Sequence, residues 1–417
     1  MWRLKIAEGE GAWLKSKNNH IGRRLWELDP DLGTPKERAT VNKARSDFFQ
    51  NRFSKKQSSD LLMRMQELLF QEDLYYPHPL IQDIFWEFMH KVAEPLFTGW
   101  PLSKLRERAL QKILQHIHYE DENSEYLCIG VIEKVLCLLS CWVENRNSDA
   151  IKFHLARLPD HLWISEDGMK VQACGSQLWD TAFAVQAIMS SNLIEEYGST
   201  LTKAHRFLKN SQVMENPMGD YSHWYRHVSK GGWTFLVADQ RWVVSDCTAE
   251  ALTAVLLVSE VEPKIVGEAM EIERLYDAVN IILSLQNSNG GFSTWGLTRT
   301  YSWMELFNPS EMFADIIIDY QHVECTSSAV HALALFRKLY PGHRKKEIEN
   351  CIAKATMFIQ DVQESNGSWS ASLPVSYTYA TWFGIRGLIA AGKTYNNSPA
   401  IQKACEFLLS KQQDSGG

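Results

Sequence analysis

A chain of 417 residues is long enough for two or more domains and a large core, and its 45% apolar and 22% charged composition excludes a disordered polymer. A net charge of −7 with both signs interspersed leaves no basic stripe, which excludes nucleic acid as the expected partner. The 15 Trp, 14 Tyr and 18 Phe exceed what a core of this size needs, so some are expected to line a pocket.

In chain order, MWRLKIAEGEGAW lacks the long apolar run of a signal peptide, which predicts a chain kept in the reducing cytosolic space. The eight cysteines (128, 137, 141, 174, 247, 325, 351 and 405) are then thiols, and with no CxxC they indicate neither a zinc ribbon nor a disulfide framework. Residues 1–66 read as a polar N-terminal arm. Residues 67–165 read as amphipathic helices with loops at YYPHP and HYEDENSE, the acidic EDENSE (120–125) being a solvated loop. The longest apolar stretch, YLCIGVIEKVLCLLSCWV, is interrupted by Glu133 and Lys134 and falls short of a spanning helix, leaving peripheral membrane contact open. Within it Cys137 and Cys141 lie one helical turn apart, as core residues do.

From residue 204 the chain repeats itself. AHRFLKNSQ (204–212), AVNIILSLQ (278–286), ATMFIQDVQ (355–363) and ACEFLLSKQ (404–412) each read Ala, two residues, two apolar residues, three residues, Gln. The i, i+3, i+4 spacing marks one helical face, and Gly-containing loops such as QNSNGGF and QESNGSW follow. A second pattern alternates with it: DTAFAVQAI (180–188), CTAEALTAV (247–255), CTSSAVHAL (325–333) and ATWFGIRGL (380–388). These align Thr181, Thr248, Thr326 and Thr381, with small residues at the third and sixth positions after each. Small residues at that spacing let helices approach closely, so the second set reads as inner helices and the first as outer.

Alternating inner and outer helices joined by Gly-rich turns predict an all-α fold built on an α/α barrel. Its parallel inner helices gather their N-termini at one rim. That rim holds Trp179 and Asp180, Asp246 and Cys247, Glu324 and Cys325, and Tyr379 and Ala380. Its acids either cap helices, at about 1 kcal/mol each, or perform chemistry; the repeat alone leaves both open.

The Gln-loop-Gly-x-Trp ending from Gln363 to Trp369, together with DCTAE at 246–250, resembles the oxidosqualene cyclases, the triterpene and sterol synthases. DLYYPHPLIQD (73–83), GSQLWDT (175–181) and YRHVSKGGWTF (225–235) are similar to the plant members. The resemblance implies that Asp246 is the general acid that protonates the epoxide of 2,3-oxidosqualene. It implies that Cys247 and Cys325 hydrogen-bond that carboxyl group, and that Trp179, Phe235, Val244 and Trp295 line the substrate and cation path. Aromatic faces suit such a path because each stabilises a desolvated cation by about 0.5–2 kcal/mol. No cofactor and no metal are implied, and the partner is a small apolar substrate met at a monotopic membrane or lipid-droplet surface, on the cytosolic side of the endoplasmic reticulum.

Against that pattern the chain is short. After DLLMRMQ (60–66) it runs straight into ELLFQEDLYYPHP, which predicts an incomplete α/α barrel over 166–417 and only a remnant of a second, inserted barrel over 67–165. Leu373 and Cys174 stand where plant members carry aromatics. Two further readings stay open: an inactive remnant that binds without catalysing, and an α/α-barrel glycosidase pairing Asp246 with Glu324 or Asp180 across a water-filled cleft.

Overall fold

The computed structural model describes residues 2–7, 13–15, 21–28, 35, 39, 79–165, 168–171, 175–191, 193–308, 316–371 and 376–412, so Cys174 and Leu373 lie outside the described residues. The chain forms two compact units: Met1–Leu114, Gly130–Ala173 and Pro309–Ala314 in one, and Gln115–Ile129, Cys174–Asn308 and Asp315–Gly417 in the other.

In the first unit the expected arm carries strands β1 (Trp2–Ala7), β2 (Trp13–Lys15) and β3 (Ile21–Leu28). They form an antiparallel sheet in the order β1-β3-β2, with Trp2 opposite Leu28 and Trp13 opposite Arg23. The alternation Trp-x-Leu-x-Ile in WRLKIA is the period-two signal for such a strand. Helices α1 (Leu80–Phe88), α2 (Glu94–Thr98), α3 (Ser103–Asn123, which passes into the second unit at Gln115), α4 (Val131–Glu144) and α5 (Asp149–Arg157) follow, then a hairpin of β4 (Leu162–Ser165) and β5 (Gly168–Val171). Lys134, which breaks the apolar run of α4, is fully buried and tolerated because its Nζ lies 2.9 Å from Nδ1 of the buried His154. Cys141 is buried on the other side of that imidazole, its Sγ 3.8 Å from Nε2, and Cys137 is buried as expected of a core thiol. Among the described residues no helix is long and apolar enough to cross a membrane.

The HYEDENSE loop is a correction: α3 continues through it to Asn123. One face of it turns inward, with Asp121 and Asn123 fully buried and Glu120 half-buried among partners, while Glu122 and Glu125 stay exposed. Glu120 receives Arg226 NH1 at 2.5 Å and Trp242 Nε1 at 3.1 Å, the Cys128 thiol donates to Asp121 Oδ1 at 3.6 Å, and Asn123 Oδ1 accepts the Met218 N–H at 2.9 Å.

The second unit is the α/α barrel. Its inner helices are α6 (Gln177–Ser190), α8 (Ser245–Val258), α11 (Val323–Leu339) and α13 (Ser376–Ala390). Outer helices α7 (Gly198–Asn210), α10 (Ile272–Ser284), α12 (Lys345–Asp361) and α14 (Pro399–Lys411) alternate with them, and a short α9 (Pro263–Val266) precedes α10. Every residue of α8 except Leu257 is buried, as befits a helix enclosed on all sides. The small residues do what their spacing predicts: a Cβ at Gly387 would stand 2.6 Å from Ser327 Oγ of the next inner helix.

The repeated residues are joints. Gln212 Nε2 donates to Gly231 O and to Arg274 O, Gln286 Nε2 to Gly290 O and Cys351 O, and Gln363 Nε2 to Gly367 O and Ala400 O, at 2.8–3.0 Å. Each Gln therefore ties its own loop to the next outer helix. The aligned threonines receive the loops from inside: Thr248, Thr326 and Thr381 accept the main-chain N–H of Trp233, Phe292 and Trp369. Gly290 must be glycine twice over, since its φ is +91° and an added Cβ would lie 2.4 Å from Lys354 O. Gly290→Ala is expected to lower stability by about 1–3 kcal/mol, read as a fall in the urea midpoint at unchanged slope; an unshifted midpoint would contradict this account of the joint.

Candidate active site

Asp246 is the second residue of α8, reached through an extended Val243–Val244 segment. Val244 is fully buried and its N–H donates to Trp233 O at 2.9 Å, while Ser245 Oγ donates to Ser293 O at 2.6 Å. These two bonds fix where the helix begins and so where the carboxyl group points. Asp246 is only 6% exposed. Its Oδ1 accepts the first-turn N–H of Cys247 at 2.7 Å, and its Oδ2 accepts the Cys325 thiol at 3.7 Å.

Burial pushes the Asp246 carboxyl up to about 7, against the opposing Cys247 N–H and Cys325 thiol; the nearby Glu324 and Glu250 push the same way as burial. Up to about neutral pH the group thus keeps a share of its proton, and the two donors stabilise what remains when that proton leaves. Burial and the Asp246 carboxyl hold the Cys325 thiol well above its usual range. The Tyr379 hydroxyl is likewise raised by burial and by Asp246 and Glu324.

Of the predicted rim, the structure brings Asp246, Cys247 and Cys325 together, with Glu324 buried beside them. Cys247 meets the carboxyl through its main-chain N–H. Asp180 stands apart from this chemistry: it is exposed and accepts Ser176 Oγ at 2.9 Å.

The predicted aromatics form a line of rings. Trp179 and Phe235 lie 5.8 Å apart between centroids and Phe235 and Trp295 6.3 Å, all tilted rather than stacked. Sequence reasoning missed the rings that extend this line, Phe183 at 4.7 Å from Trp179 and Trp242 at 5.6 Å from Trp295. It also missed Asp319, whose carboxylate accepts the N–H groups of Thr294, Trp295 and Gly296 and so holds the Trp295 loop. Nothing in IIIDYQH marks that aspartate; its partners lie more than twenty residues away. A cavity of ≈ 570 Å³ opens against Trp242, Trp295, Arg226, Met304 and Asp319. Its lining includes Trp295 but not Asp246, so it shares the ring wall and not the proton donor.

Parallel inner helices whose N-termini enclose a buried carboxyl with a thiol against it define a site on an α/α-barrel fold. The chain belongs to the oxidosqualene and squalene-hopene cyclase family: residues 175–417, more than half of it, match the family described as "Squalene-hopene cyclase C-terminal domain". It is 48% identical over 342 residues to alpha-onocerin synthase LCD of Lycopodium clavatum, covering 82% of this chain and 45% of that enzyme. It is 42% identical over 353 residues to human lanosterol synthase, 83% of this chain and 47% of the enzyme. To cycloartenol synthase of Dictyostelium discoideum it is 40% identical over 331 residues, 79% of this chain and 46% of the enzyme. The chain thus spans about half the length of the curated relatives it matches.

Proposed function

We propose that the chain acts as a triterpene cyclase, an isomerase in which Asp246 protonates the epoxide of 2,3-oxidosqualene and starts a cation–olefin cyclisation to a polycyclic alcohol. The observation that carries this reading is the buried carboxyl with Cys325 Sγ at 3.7 Å from Oδ2. An epoxide is feebly basic, so the acid must keep its proton until the substrate arrives and then release it; burial supports the first and the two hydrogen bonds the second. As the epoxide C–O bond breaks, positive charge passes into the carbon chain, and the half-buried rings of Trp179, Phe235 and Trp295 offer it π faces. An isomerisation carries no net proton, so one is lost again when the last cation collapses. The substrate is a C30 hydrocarbon in all but its epoxide, which favours work at a membrane or lipid-droplet surface on the cytosolic face of the endoplasmic reticulum.

The half-length match favours one alternative, a binding remnant without turnover. The glycosidase reading loses its support, since Asp180 is exposed and turned to Ser176 and the family is that of cyclases. Detergent-solubilised protein incubated with 2,3-oxidosqualene is expected to give a cyclised triterpene alcohol by gas chromatography. Quantitative recovery of the epoxide would favour the remnant. Within the cyclase reading, Cys325→Ala removes a donor to the conjugate base; at about 1 kcal/mol this predicts a rate some five- to tenfold lower, with the acid's titration moved to higher pH.

A further inference from the structure

One turn below Asp246 on α8 lies a second buried carboxyl, Glu250, fully inaccessible to solvent. Residues four apart share one helical face, so the two groups compete for a proton in the same dry interior. Their surroundings differ. Glu250 Oε1 accepts Ser328 Oγ at 2.6 Å and Arg386 NH1 at 2.5 Å, and Oε2 accepts Arg386 NH2 at 3.0 Å and Gln186 Nε2 at 2.7 Å. Four donors fill the four acceptor positions of a carboxylate and leave no room for its own proton. The donors come from every other inner helix: Gln186 from α6, Ser328 from α11 and Arg386 from α13.

Arg386 is itself held in place. Its NH2, with two hydrogens to share, also lies 2.8 Å from Gln186 Oε1 and 3.0 Å from His331 Nδ1, and its guanidinium stands 5.2 Å from the Trp382 ring centroid. His331 is a neutral acceptor here, since burial and Arg386 push its imidazole down to about 4. The charged groups of the cluster are therefore one anion and one cation. Facing Asp246 instead are Glu324 and Cys325 from α11 and Tyr379 from α13, none of them a cation.

We propose that Arg386 is a positioning residue for the proton donor: by pinning Glu250 as the anion of the pair, it assigns the proton to Asp246. Separating two neighbouring carboxyls in this way is how acid and base roles are divided within one site. The proposal rests on Asp246 being the acid, and its test needs no turnover. Infrared spectra of the full chain, labelled with ¹³C-Asp or ¹³C-Glu, report which carboxyl is protonated. At neutral pH a protonated aspartic acid band is expected that Asp246→Asn removes. In Arg386→Met a glutamic acid band should appear that the added Glu250→Gln removes, while Arg386→Lys should keep the wild-type pattern. Glu250→Gln alone, which keeps the side-chain shape, should move the Asp246 titration to lower pH by at least one unit, a tenfold change in proton affinity. No new glutamic acid band in a folded Arg386→Met, or an unmoved titration in Glu250→Gln, would overturn the assignment. If these spectra appear as expected and no cyclised product ever forms, the cyclase reading fails and the proton assignment stands.

Discussion

Asp246→Asn should lower cyclisation by at least about 10²–10⁴-fold, the usual contribution of a positioned acid, while making the protein more stable at neutral pH. The two effects share one cause. The folded state raises this carboxyl from 3.8 to about 7, so between those values the native protein binds a proton that the unfolded chain has released. Stability from this group is fully present below the unfolded value and is lost as pH rises through the folded one. The full displacement corresponds to about 4 kcal/mol. An amide has nothing to ionise, so the stability difference between Asp246→Asn and the parent should be near zero at pH 4, grow up to pH 7 and level off above it. Denaturant titrations at several pH values read this without substrate. A constant difference from pH 4 to 8 would mean that the carboxyl is not held neutral by the fold.

The second large effect is expected at Trp369→Ala. Trp369 is fully buried, its Nε1 donates to Ile359 O at 2.7 Å, and its main-chain N–H reaches Thr381 Oγ1 at 3.3 Å. Its ring lies so close to α13 that a Cβ at Gly384 would come within 2.7 Å of it. Removing the ring takes away a joint between α12 and α13 and strands a carbonyl. The expected loss is about 3–5 kcal/mol, a large part of a total stability of about 5–15 kcal/mol. Trp369→Phe should cost less, about 1–3 kcal/mol, because it forfeits mainly the indole bond; the corresponding position of the preceding repeat is Phe292, buried without that donor. A urea midpoint for Trp369→Ala that implies less than 1 kcal/mol would show that the ring is not a joint.

Much of the barrel was legible before any coordinates because its rules are local. The Ala-x-x-apolar-apolar spacing is helical geometry, the small residues of the CTAEALTAV pattern are a demand for close approach, and the Gln of each repeat sits at a fixed offset from the loop it ties. Periodicity also placed Asp246 and Cys325, 79 residues apart, on one rim, and they do meet. Where the local signal was composition alone, it misled. EDENSE is as polar as a loop, yet it is helical as far as Asn123 and turns Asp121 and Asn123 inward, with Arg226 and Trp242, more than a hundred residues later, partnering Glu120.

By itself, the sequence determined the alternation of inner and outer helices and the place of Asp246 and Cys325 on one rim, since the pattern within each repeat is encoded in spacings of eight residues or fewer. Only the tertiary structure decided which way each acid behaves. Asp246, Glu250 and Asp180 all carry a carboxyl group, but one is enclosed with a thiol, one is saturated by Arg386, Gln186 and Ser328, and one faces solvent. Proton affinity depends on desolvation and on charges brought together through space, and neither quantity is written in the order of residues along the chain.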